Sequence, residues 1–103
     1  MNNRLSAEKH TKVFCVTPKE SFATTREDVS FFKHTYYFAF GVNIETGKHT
    51  DEKVLIFNSN YNYVMYATDI TKRFFKYVED YPIKPEQEKK LLDELYRIIK
   101  MRF

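Results

Sequence analysis

Between Phe32 and Ile44 every second position belongs to one set: Phe32, His34, Tyr36, Phe38, Phe40, Val42 and Ile44. The interleaved set, Phe31, Lys33, Thr35, Tyr37, Ala39, Gly41 and Asn43, is mixed in character. Side chains of a strand alternate between its two faces, so the run predicts one long strand with a buried face and a mixed face. Such a strand needs partners along its edges and a layer over its apolar face.

The flanking residues supply both. Glu45-Thr46-Gly47-Lys48 reads as a tight turn in which Gly47 can take positive φ. Residues 51–57 predict a second strand, Asn58-Ser59-Asn60 a second turn, and residues 61–68 a third strand, giving an antiparallel meander. Upstream, residues 12–17 predict a short strand stopped by Pro18. Val13 and Cys15 share one face and Phe14 and Val16 the other; apolar on both faces, it belongs inside a sheet. Thr17-Pro18-Lys19-Glu20 has the form of a capping box with Pro at the first helical position, which predicts a turn or two of helix to about Thr24. Thr25-Arg26-Glu27-Asp28 reads as a second cap or a loop.

After residue 68 the period changes to that of a helix. Ile70, Phe74, Val78 and Tyr81 recur as one stripe, capped by Thr68 or Asp69. Pro82 and Pro85 bracket a break. A last helix over residues 85–101 carries the stripe Leu91, Leu92, Leu95, Ile98 and Ile99, with Glu86 and Glu88 near its start and Lys100 and Arg102 near its end, as the helix dipole prefers. The expected fold class is α+β: an antiparallel three- to four-stranded sheet with two C-terminal amphipathic helices packed on one face. The 103 residues fit a single domain. Residues 1–11 are expected to be loosely held, 12–68 to form the sheet region and 69–103 the helical region.

Motifs for catalysis are weak. Gly41 and Gly47-Lys48 miss the spacing of a phosphate-binding loop, and His49 follows where Ser or Thr is needed. Asp51-Glu52-Lys53 resembles the acidic-x-Lys core of metal-dependent nucleases, but neither Asp28 nor Glu45 offers a further carboxylate at a distinctive spacing. His49 and Asp51 would share a strand face without an identifiable nucleophile beside them. The expectation is therefore no enzyme. His10, Cys15, His34 and His49 match a structural zinc site in number, but they lack the closely spaced pairs of zinc motifs. No cofactor is expected, with zinc held by these four as the alternative. As the only cysteine, Cys15 cannot form an internal disulfide and reads as a small core hydrophobe.

Composition bears on the surface. Ten Phe and eight Tyr are many rings for so small an interior, and surface-to-volume scaling drives several outward. Tyr37, Tyr61, Tyr63 and Tyr66 are the expected exposed patch, flanked by Lys33 and by the basic helix residues Lys72, Arg73 and Lys76. Tyr and Arg dominate protein interfaces. Basic and aromatic side chains together on a sheet also stack and neutralise single-stranded nucleic acid. The net charge of +3 is too small for a histone-like binder. No apolar run approaches the roughly 18 residues of a membrane span. No charged-then-apolar leader opens the chain, which predicts a cytoplasmic location.

Few Gly and Ala beside many Phe, Tyr, Asn, Ile and Lys follow AT-rich codon usage, a bias common among short phage and mobile-element genes. The sequence thus predicts a small non-enzymatic binding protein that inhibits a host protein or ribonucleoprotein by steric docking, of the anti-CRISPR kind. The alternative is a single-stranded nucleic-acid-binding or regulatory module. An unpaired sheet edge would also suit a homodimer.

Overall fold

The structure is a computed structural model that describes residues 4–7, 12–25, 29–46 and 48–102. The predicted meander forms its centre. The long strand is β5 (Tyr37–Thr46), paired antiparallel with β6 (His49–Phe57) from Phe38–Phe57 to Thr46–His49. β6 pairs in turn with β7 (Tyr63–Ala67). The other edge of β5 takes two strands end to end. β1 (Arg4–Ala7) pairs with its second half and β2 (Phe14–Pro18) with its first. β1 lies within the segment expected to be loosely held; residues 1–3 and 8–11 lie outside the described residues.

Two predicted helices are corrected. Residues 19–24 contain no helix. Phe22–Ala23 is instead strand β3, which pairs with β4 (Ser30–Phe31) in a separate two-stranded ribbon. The Thr17 hydroxyl, expected to cap that helix, donates to the Thr35 carbonyl at 2.8 Å. Of the proposed cap or loop at 25–28, residues 26–28 lie outside the described residues.

The helix expected over residues 69–81 is α1 (Thr68–Phe74), which ends at Phe74. Its N-cap is Ala67, with no side-chain cap hydrogen bond, and the Thr71 hydroxyl donates to the Ala67 carbonyl at 3.0 Å. The next residues form strand β8 (Phe75–Val78), which pairs with β2 from Pro18–Phe75 to Cys15–Val78. Phe-Phe-Lys-Tyr-Val is aromatic and β-branched, a poor helix interior and a good strand. The unpaired edge of β2 rewards the switch with backbone hydrogen bonds.

The sheet therefore has six strands rather than three or four, in the order β7-β6-β5-β2-β8 with β1 beside β5. The order forces curvature. β7 and β8 lie four strand spacings apart, about 19 Å if flat. They are joined by the seven residues of α1, about 10 Å of helix. The sheet closes this gap by curling. Its inner face buries Val16, Ala39, Val54, Ile56, Val64 and Phe75, with Val29 and Phe31 from the ribbon packed among them.

The last helix, α2 (Pro85–Arg102), covers the outer face as its stripe predicts. Leu91, Leu95 and Ile98 bury against Phe40, Val42, Leu55, Phe57 and Tyr63. One long helix packs on the sheet, not two, because α1 is used as the corner between its edges. Glu94, buried on α2, is paired with Lys90 at 3.2 Å and with Arg97. No helix among the described residues is long and apolar enough to cross a membrane.

Candidate docking surfaces

Both sheet faces are covered, so the flat aromatic platform expected from the sequence does not exist. Tyr37 is 5% exposed and Tyr63 8% exposed, and both are core residues. Tyr37 faces the inside of the curl, where its ring meets Phe31 edge-on at 4.8 Å and its hydroxyl accepts from the Phe32 N–H at 2.8 Å. Tyr63 faces α2 and packs edge-on against Phe57. A mixed face turned out buried because the curl adds a second interior that strand periodicity alone does not reveal.

Tyr61 and Tyr66 are half-buried, and Lys33, Lys72, Arg73 and Lys76 are exposed. Lys33 pairs with Glu20 at 3.4 Å across solvent, a contact of small energetic value. Rings do reach the surface, but mostly other rings than expected: Phe32, Tyr36, Phe74, Tyr77, Tyr81 and Tyr96. Alternation places Phe32 and Tyr36 on the strand's apolar face. They lie in the loop before β5, where alternation has no meaning. The signal for that loop is Lys33-His34-Thr35, three polar residues in a row.

Two concavities organise these side chains. The first is a groove of about 540 Å³ between the β3–β4 ribbon and α1. Phe22, Ala23, Tyr66 and Phe74 give it an apolar lining, with Lys19, Glu20 and Arg73 also on its wall. Phe22 and Phe74 meet at 6.0 Å, and half of Phe74 remains open to solvent. The groove is anchored. The Lys19 N–H donates to the Phe74 carbonyl at 2.9 Å, and the Lys19 ammonium donates to the Lys72 carbonyl at 3.0 Å. Lys72 and Arg73 sit in the last turn of α1, where the dipole favours cations. Burial pushes the Tyr66 phenol above its ordinary range. Of the predicted binding residues, Tyr66 and Arg73 meet here.

The second is a cleft of about 500 Å³ among the 32–36 loop, the 58–62 turn and the start of α2. Tyr61 lies at this cleft, and the Lys90 ammonium stands 5.4 Å from its ring centre. Tyr37, though buried, also borders this cleft, whereas Lys33, Tyr63, Lys72 and Lys76 line neither concavity.

The four proposed metal ligands do not converge among the described residues. Cys15 is buried in β2, His34 is exposed in the loop before β5, His49 is exposed at the β5–β6 hairpin, and His10 lies outside the described residues. No group of three or more His, Cys, Asp or Glu side chains among the described residues is arranged to hold a metal ion. Asp51 and Glu52 stand exposed near the same hairpin tip as His49. No protein-family model, curated protein or solved structure matches the chain.

Proposed function

We propose that the protein is a small non-catalytic binding module that docks on a partner protein through the groove beside α1. The observation that carries this reading is the groove's composition: an apolar lining with Phe74 half-exposed, bordered by Lys19 and Arg73 with a single carboxylate, Glu20, among its lining residues. A large ring that is partly desolvated beforehand, next to a guanidinium, has the make-up of an interface hot spot. Lys72 and Lys76 are exposed nearby in sequence and extend the positive surface. The complementary partner segment is an apolar or aromatic anchor flanked by Asp and Glu, whose charges speed the encounter.

A steric inhibitor of a host protein or ribonucleoprotein, of the phage or anti-CRISPR kind, is the finer form of this proposal. Its support is chain length and composition. Selection from a random-peptide display library tests the reading. Enriched peptides should pair an aromatic or large aliphatic residue with acidic neighbours, and should lose binding to Phe74→Ala and Arg73→Glu. Enrichment indifferent to both variants would overturn it.

A further inference from the structure

We infer that the cleft between the 32–36 loop, the 58–62 turn and α2 is a stacking site for an unpaired base of single-stranded nucleic acid. This is a second site, separate from the groove and independent of its reading. Phe32 is 60% and Tyr36 50% exposed, and both line the cleft. Tyr81, which is not part of the lining, packs against Tyr36 at 5.0 Å and Phe38 at 5.9 Å and so braces the wall. Tyr61 and Leu91 contribute further apolar surface.

The polar lining consists of hydroxyls and amides, among them Ser59, Asn60 and Gln87, and includes no Asp, Glu, Lys or Arg. Side-chain amides offer a donor and an acceptor in one plane, the complement of a base edge. A neutral lining suits an uncharged ring. A cation stands at the border instead: the Lys90 ammonium lies 5.4 Å from the Tyr61 ring centre and pairs with Glu94 at 3.2 Å. It is placed for a phosphate that flanks a stacked base, as single-strand grooves require.

Backbone strain falls on the same loops. Among the described residues, three non-glycine residues have positive φ: His34 at 68°, Tyr61 at 62° and Asp80 at 58°. His34 and Tyr61 sit in the two loops that frame the cleft, and Asp80 immediately precedes Tyr81. For a bulky residue such as Tyr61 this conformation is unfavourable and persists only where the surroundings impose it. They do so here: the Asn58 side-chain oxygen accepts from the Asn60 and Asn62 N–H groups at 2.9 and 3.0 Å. Across the cleft, Ser21 Oγ accepts from the Lys33 N–H at 2.7 Å. Both walls are thus held in place before any ligand arrives.

Fluorescence anisotropy with labelled 12-nucleotide single strands of RNA and DNA, against a duplex of the same length, tests the inference. At low salt the single strands should bind and the duplex should not compete. Tyr36→Ala should weaken binding roughly tenfold or more, the loss typical of one stacked base. Tyr36→Trp should restore it, and Phe74→Ala, in the other site, should leave it unchanged. Failure of single strands to bind, equal binding of the duplex, or indifference to Tyr36→Ala each overturns the inference. So would binding of neutral oligosaccharides in place of single strands.

Discussion

Phe74 and Phe75 are neighbours with opposite environments, and replacing each with Ala separates the observed backbone from the one helical periodicity predicts. A helix continuing to residue 81 would bury Phe74 with Ile70 and Val78 and turn Phe75 outward. In the structure Phe74 is 49% and Phe75 1% exposed. Phe75 meets Phe22 at 5.5 Å and Phe31 at 5.3 Å, both edge-on, inside the curled sheet. Its truncation removes a fully enclosed ring and should cost about 3–5 kcal/mol. That is a large share of the roughly 5–15 kcal/mol that holds a domain of this size together. Phe74 keeps half its ring in water and has one tilted partner, Phe22. Its truncation should cost about 1 kcal/mol, half the transfer value of a buried ring. Urea and thermal denaturation followed by circular dichroism read both as free energies and as Tm. Phe75→Ala should lower Tm by well over 10 °C, and Phe74→Ala by roughly 4–8 °C. Equal losses, or the reverse order, would refute the helix-to-strand switch at residue 74 and with it the shape of the groove.

Further predictions concern the two interiors and the protons they hold. Leu95→Ala removes a fully buried side chain beneath α2 and should cost about 2–5 kcal/mol; a loss under about 1 kcal/mol would mean α2 is not seated on Phe40 and Leu55. Burial raises the Cys15 thiol above its ordinary 9.0, partly opposed by a backbone hydrogen bond from Tyr37, and raises the Tyr66 and Tyr77 phenols above 10.0. The folded protein therefore keeps these protons to higher pH than the unfolded chain does. Their stabilising contribution is complete below the unfolded values and is lost as pH rises through the folded ones. Urea midpoints should fall from about pH 9 upward; a rising midpoint would contradict the burial. Under native conditions at pH 8 the Cys15 thiol should react with a disulfide reagent only as fast as the chain unfolds.

Much of the fold was legible because its signals are local. The alternation from Phe38 to Ile44, the turn at Asn58 and the stripe Leu91–Leu95–Ile98 each name a period and a face. Non-local effects were not legible. Phe75–Val78 fits either period, and pairing with β2, some 60 residues away, decides for strand. Thr17-Pro18-Lys19-Glu20 satisfies a helix-start pattern, yet Phe22 finds Phe31 and Phe75 and the chain stays extended. The same curl explains the site. It buries Tyr37 on the face that alternation leaves mixed, while Phe32 and Tyr36, which alternation places on the apolar face, fall in a loop. That rings would reach the surface followed from number and size; which ones did so depended on where β5 begins.

Whether the groove beside α1 meets a protein is decided by a photoreactive benzophenone side chain placed at position 74, with position 96 as the exposed control on α2. On irradiation in cells of the source organism, position 74 should cross-link to a discrete protein, and Arg73→Glu should abolish the product while position 96 gives none. Equal products from both positions, or cross-links to nucleic acid alone from position 74, would contradict it.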